Sequence, residues 1–219
     1  MILMTITWYG QSCFRIDTRE AVIATDPFAK EIGLTPPRFQ TDITLVTHGH
    51  FDHANTGALA GAPTVIAGPG EYEMKGVAVR GIPSFHDRSE GRERGPNTIY
   101  RISAEEMTLV HLGDFGEASI RDETLDAIGD ADILFVPVGG TYTIDGETAA
   151  KVVHQIEPRI IIPMHYHLPG LQVKLEPVDG FLKSFGVREP ERMPRLVIKK
   201  RDLPETANRV VVLAAGGER

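Results

Sequence analysis

The six residues His48-Gly49-His50-Phe51-Asp52-His53 constrain this chain more than any other stretch, because four side chains able to bind a metal crowd into one short segment. They follow directly on residues 43–47, an Ile-Thr-Leu-Val-Thr run whose composition reads as a strand. Gly49 is expected to relax the backbone so that imidazoles two apart can converge in a tight loop. The competing reading is a polar surface loop that happens to be rich in histidine. A functional reading needs further donors from elsewhere in the chain.

Three candidates supply them. His86 lies in Pro83-Ser84-Phe85-His86-Asp87, Asp114 in Leu112-Gly113-Asp114-Phe115, and His165 in Ile162-Pro163-Met164-His165-Tyr166. Each follows an apolar run, and each alone would pass for a hydrogen-bonded surface group. Together with the first loop they place polar groups where strands end, the arrangement expected of a site held at the rim of a rigid sheet.

The apolar patterning predicts strands over 5–9, 13–17, 21–25, 43–47, 64–67, 77–82, 98–103 and 107–112, each bounded by polar or Gly and Pro residues. A helix is expected over 119–128 with Ser119 as its N-cap. Next come a strand at 132–138, a helix at 147–156 with Ala149, Val152, Val153 and Ile156 on one side, and a strand at 159–164, a βαβ pattern. A helix over 177–185 stopping at Gly186 and strands at 196–199 and 209–213 complete the reading. Strands outnumber helices, so the economical architecture is a pair of packed sheets with helices on their outer faces, and residues 1–219 read as one domain.

Charge narrows the function. The formal net charge is −7 and, apart from Lys199-Lys200-Arg201, the basic residues are scattered, so no field attracts a nucleic-acid backbone. Cys13 is the single cysteine, which excludes an internal disulfide and a thiolate-rich zinc site and suggests a buried small hydrophobe in a reducing cytoplasm. Met1-Ile2-Leu3-Met4 is too short for a signal core, and no stretch has the length of a membrane span. A small-molecule substrate is therefore expected, with no nucleic-acid or membrane partner, and homo-oligomerisation is left open.

With these residues in hand, the chain resembles the metallo-β-lactamase superfamily, whose motifs run Asp, His-x-His-x-Asp-His, His, Asp, His. Asp26 in Thr25-Asp26-Pro27-Phe28 matches the first, and His48, His50, Asp52, His53, His86, Asp114 and His165 match the others in order. The resemblance implies an α/β (α+β) fold, a four-layer αββα sandwich. It also implies two metal ions, one held by His48, His50 and His86, the other by Asp52, His53 and His165, with Asp114 between them. Asp26 would orient a ligand imidazole, a turn residue before Pro27 being the other reading. Trp8-Tyr9-Gly10-Gln11-Ser12-Cys13-Phe14, Gly68-Pro69-Gly70-Glu71-Tyr72-Glu73 and Val138-Gly139-Gly140-Thr141-Tyr142-Thr143 resemble a compact prokaryotic branch related to ascorbate-6-phosphate lactonase. Members often carry His where this chain has Gln11, which puts the role of that position in question.

Five His and two Asp form a donor set that suits zinc and tolerates manganese or iron. Two such ions can share a water, lower its pKa and supply hydroxide while polarising a carbonyl or phosphoryl oxygen. Asp52 is then the catalytic carboxylate, ligating one ion and orienting the hydroxide. His167, Tyr142 or a second water would protonate the leaving group. Tyr142, His167 and Asn97 are candidate substrate contacts, each with a plain turn or surface role as the alternative. Arg88, Arg92 and Arg94 could meet an anionic substrate, but Glu90 and Glu93 interleave with them, so they read first as a mixed solvated face. The expected activity is hydrolysis of a lactone, ester or phosphodiester in a small metabolite. The alternatives are a metal-binding or sensing protein with little turnover, or a scaffold whose metals only hold its loops. His50 argues against the flavodiiron type, which usually has Glu there.

Overall fold

A computed structural model describes residues 3–205 and 208–216; Met1 and Ile2 of the apolar N-terminus lie outside the described residues. The strands are β1 (Met4–Gly10), β2 (Cys13–Asp17), β3 (Val22–Thr25), β4 (Ile43–Val46), β5 (Thr64–Ala67), β6 (Gly70–Met74) and β7 (Val77–Phe85). They continue with β8 (Pro96–Ala104), β9 (Met107–His111), β10 (Ile133–Pro137), β11 (Ile160–Met164), β12 (Glu191–Met193), β13 (Arg195–Ile198) and β14 (Arg209–Leu213). The α-helices are α1 (Asp122–Ile128), α2 (Gly146–Ile156) and α3 (Asp179–Phe185).

Two sheets form, one ordered β13-β1-β2-β3-β4-β5 and the other β12-β14-β11-β10-β9-β8-β7-β6. Their directions bring the site residues to shared edges. In the first sheet β3 and β4 are parallel, so Asp26 and the His48–His53 loop leave from the same side. In the second, β9, β10 and β11 are parallel, and β7 and β9 both run antiparallel to β8 and hence parallel to each other. His86, Asp114 and His165 therefore follow carboxyl ends of strands at one edge, where α/β sheets place their ligands.

The patterns follow from burial. β1 alternates, with Met4, Ile6, Trp8 and Gly10 buried. β10 and β11 are buried at every position, as expected of parallel strands covered on both faces. Phe14 of β2 meets Phe135 of β10 at 4.4 Å between ring centroids, and Trp8 of β1 meets Tyr166 at 4.9 Å, so aromatic pairs join the two sheets. Burying a Phe-sized side chain is worth about 1.5–3 kcal/mol. Cys13 is fully buried among Phe28, Ile32, Leu171 and Leu175, in the hydrophobic role expected of it.

The sandwich of two sheets agrees with the architecture expected from the sequence, and its covering layers are unequal. α1 packs on β7, and α2 on β10 and on α3. On the other sheet the apolar residues Tyr9, Val22 and Ala24 are capped by Phe39 and Leu59, in a region of loops and the short 3-10 turns Lys30–Ile32 and Thr56–Ala58. Ser119 is not the N-cap of the first helix. Gln155 of α2 accepts from the Ile120 amide and donates to its carbonyl, which holds that segment out of the helix and delays its start to Asp122. Two short strands were not legible in the sequence: β6 alternates charge and half-burial along an edge, and β12 spans three largely polar residues. No helix among the described residues is long and apolar enough to cross a membrane.

Candidate metal centre

The loop after β4 curls because the His50 carbonyl accepts from the amides of His53 and Ala54, both at 3.0 Å. It is stapled to the segment after β3 by the Ala29 amide on the Phe51 carbonyl and the Asn55 amide on the Pro27 carbonyl. Gly49 has no positive φ, and a Cβ there would meet open space, so this turn and not glycine freedom makes the imidazoles converge. Glycine is needed elsewhere. A Cβ on Gly116 would overlap the backbone of His86, and one on Gly139 the His165 carbonyl, so both ligand segments depend on a bare backbone beside them.

Four loops meet. The His48 ring lies 4.6 Å from His50 and 4.8 Å from His86, and that of His53 lies 5.7 Å from His165. One oxygen of Asp114, Oδ2, sits 3.3 Å from His53 Nε2, 3.2 Å from His86 Nε2 and 3.4 Å from His165 Nε2. His48, His50 and His86 form one trio whose donor atoms all lie within 4.8 Å of one another, and Asp52, His53 and His165 form a second. These His and Asp clusters are able to bind metal.

The hydrogen bonds decide which nitrogens are bare. Asp26, fully buried at φ 38°, accepts from the Thr47 amide through Oδ1, and from Thr47 Oγ1 and His53 Nδ1 through Oδ2. Thr47 Oγ1 has given its one proton to Asp26, so at 3.0 Å it can only accept from His48 Nδ1. One carboxylate oxygen thus puts the proton of both His48 and His53 on Nδ1 and aims Nε2 inward. His48 Nε2 and His53 Nε2, the two nitrogens so left bare, are buried without a hydrogen-bond partner among the described residues, and the Nε2 atoms of His86 and His165 join His53 Nε2 around Asp114 Oδ2. Buried polar atoms are seldom left so, and two of them beside these converging Nε2 atoms fit a cation that takes their lone pairs.

Electrostatics agree. Burial, helped by neighbouring His53, pushes the His48 pKa down to about 3, leaving the neutral form that ligates. Burial likewise lowers His165. Burial alone would raise the Asp114 carboxyl, but His165 and His53 outweigh it and hold it well below the usual range. Burial disfavours the His53 imidazolium, yet Asp114 and Asp26 overcome this and raise its pKa well above the ordinary value. The centre is a cage of carboxylates that calls for positive charge, and a metal at His53 Nε2 would take the place of a proton.

A cavity of about 310 Å3 opens over the cluster, floored by His50, Asp52, His86, Asp114 and His165. Phe51, Arg94, Tyr142 and Val173 wall it. Tyr142 is thus brought to the wall of this cavity. Asn97 and His167 are not among the lining residues. Asn97 is buried and spends its amide internally, donating to Ser84 Oγ and the Leu112 carbonyl and accepting from the Asp114 amide, so it positions Asp114. His167 is exposed, and its amide is bonded to the Glu176 carbonyl.

Several residues escaped the sequence reading. Gln11, fully buried at φ 49°, donates from Nε2 to Asp52 Oδ2 at 3.1 Å and lies 3.4 Å from His165 Nε2, while its carbonyl accepts the Trp8 indole and the His165 amide. Ser12 Oγ donates to Asp114 Oδ1 at 3.4 Å. His111 accepts the Gly113 amide on Nδ1 and donates from Nε2 to the Ser12 carbonyl, tying β9 to the β1–β2 turn. Of the three arginines that read as an anion contact or a solvated face, Arg94 stands at the cavity wall. For Gln11 the available signal was its place in the Gly10-Gln11-Ser12 turn, where relatives often carry His; nothing local marked Ser12 or His111.

The model of the β-lactamase superfamily domain matches residues 5–165. A UPF0173 metal-dependent hydrolase of Pyrobaculum arsenaticum is 31% identical over 80% of this chain and 89% of its own length. One from Thermoplasma acidophilum is 30% identical over 75% of this chain and 84% of its own. Among solved structures, a candidate Zn-dependent hydrolase of the metallo-β-lactamase superfamily from Thermotoga maritima matches with a TM-score of 0.79 at 34% identity, covering 96% of this chain and 98% of that one.

Proposed function

The chain belongs to the β-lactamase superfamily, and from that premise we propose that it is a metal-dependent hydrolase with a dinuclear centre, acting on a lactone, ester or phosphodiester of a small metabolite. His48, His50 and His86 would hold one ion and Asp52, His53 and His165 the other, with Asp114 between them. A donor set of five His and two Asp suits zinc and accepts manganese or iron. When bound, such ions supply Lewis acidity and a water of lowered pKa. The names of the relatives support a hydrolase, and a single hydrophobic cluster spanning both sheets supports reading the chain as one domain.

The observation that carries this reading is the convergence of His53, His86 and His165 Nε2 on Asp114 Oδ2, with His48 Nε2 and His53 Nε2 buried and without a hydrogen-bond partner among the described residues. Asp52 faces the cavity, and although burial would raise its carboxyl, the hydrogen bond and charge of His53 keep it ionised. It is therefore suited to accept and orient a proton of the attacking water, while Gln11 Nε2 donates to the same Oδ2 that faces His53. Tyr142 is the lining residue with a hydroxyl able to reach a leaving group. His167, outside the lining, is the weaker candidate.

Elemental analysis of protein purified without added metal, followed by assays on lactone, phosphodiester and thioester panels, tests the proposal. Two equivalents of metal are expected, with turnover that a chelator removes and zinc restores, and that His50→Ala and Asp114→Ala abolish. A fully metal-loaded protein inert across the panels would instead favour a binding or sensing role.

A further inference from the structure

The loop between β7 and β8 is built around one buried carboxylate. Asp87, next to His86, accepts four backbone amides: Ser89 at 2.8 Å and Gly91 at 2.9 Å on Oδ1, Glu93 at 3.1 Å and Arg94 at 2.8 Å on Oδ2. The His86 amide on the Gly95 carbonyl and the Gly95 amide on the Gly91 carbonyl close the loop. A surface loop so bonded holds its last side chain in place, and that side chain is Arg94.

Of the loop's three arginines, Arg94 alone lines the cavity over the metal cluster. Arg92 points to solvent, 80% exposed beside Glu90. Arg88 lies in the neighbouring cleft, which Arg94 and Tyr142 also line, with Asp87, Glu93, Asp145 and Glu176. The Arg94 guanidinium stacks over Tyr142, 5.7 Å from its ring centroid. Its polar contacts are a long 3.5 Å bond to the Thr141 carbonyl and a 4.0 Å approach to Glu93. A guanidinium has five N–H donors in a planar fork shaped for an oxyanion, and these two contacts leave most of them free. On the cavity's other walls stand Val173 and Phe51, the latter 58% exposed although it is flanked by candidate ligands.

We infer that Arg94, stacked on Tyr142 and held by the Asp87 loop, is the anion-recognising residue of this cavity. The substrate then carries a carboxylate or phosphate-type group close to the bond that is cleaved, with an apolar body against Phe51 and Val173. This deepens the hydrolase reading and rests on it for the word substrate, but not for the binding.

Binding separates the two. Calorimetric titration of the zinc-loaded protein with butyrate and with propylphosphonate, which share a propyl tail and differ in head group, should show affinity for at least one. The tighter of the two identifies the head group. Arg94→Met should weaken that binding about ten- to hundredfold, the worth of charged hydrogen bonds, and Arg94→Lys should recover part of it. In kinetics, the preference for mono(4-nitrophenyl) succinate over neutral 4-nitrophenyl butyrate should fall by a similar factor in Arg94→Met, mainly through KM. Equal affinity of wild type and Arg94→Met for both probes overturns the inference whatever the activity. Absence of any hydrolysis, with the binding difference intact, overturns the hydrolase reading and leaves the anion site standing.

Discussion

Replacing Asp26 by Asn tests whether one buried oxygen controls both trios. In the wild type, Oδ2 accepts from Thr47 Oγ1 at 2.8 Å and from His53 Nδ1 at 3.0 Å, and Oδ1 accepts the Thr47 amide at 2.8 Å. An Asn with its nitrogen at the Oδ2 position donates to His53 Nδ1 and to Thr47 Oγ1. Thr47 then donates to His48 Nδ1, and both imidazoles carry their proton on Nε2, where they cannot ligate. With the amide flipped, its nitrogen faces the Thr47 N–H, a buried donor against a donor costing about 1–3 kcal/mol. Metal affinity should fall roughly ten- to hundredfold, the usual effect of losing such a partner, or about 1.4–2.7 kcal/mol. Thr47→Val should do less, since it cuts the relay to His48 and leaves His53 bonded to Asp26. Zinc competition titrations give the affinities, 15N NMR of the imidazoles the tautomers, and thermal melts of the metal-free proteins the folding cost. Asp26→Asn protein with wild-type affinity, tautomers and melting temperature would refute the reasoning.

Two further outcomes are expected. Burial lowers the His111 pKa, so the unfolded chain takes up that proton first. The stability from neutral His111 is complete above about pH 6.5 and is lost as pH falls from there through the folded value. Denaturant unfolding of metal-free His111→Gln should show a pH slope shallower by up to about 1.4 kcal/mol per pH unit, and an unchanged slope would contradict this. For Asp87, burial pushes the carboxyl up but the four loop amides outweigh it, so the loop's order is present above about pH 3.9 and lost as pH falls through the lowered value. Asp87→Asn turns an amide nitrogen toward backbone donors and should expose Arg88, Arg92 and Arg94 to trypsin at neutral pH; equal resistance in a timed digest would refute the role of Asp87.

The strands were legible because side-chain alternation and apolar runs are local signals: the β10–α2–β11 unit appears at nearly its expected bounds. Boundaries failed where a distant partner intervened, as when Gln155 held residue 120 out of the first helix. Weak edge strands also failed, because their pairing is with a neighbour and not with any pattern of their own.

By itself the sequence determined which side chains could serve a metal and that each follows a strand, since motif spacing and apolar patterning are properties of neighbouring residues. Only the tertiary structure decided how they face one another. Gln11 reaches Asp52 across 41 positions and His165 across 154, and Asn97 reaches the Asp114 amide across 17. It also turned Asn97 inward, left His167 at the surface, and moved Arg94 from a mixed charged run to the wall of the cavity. The physical reason is that tautomer, protonation and exposure are set by what lies within a few ångströms in space, and strand order rather than chain order supplies those neighbours.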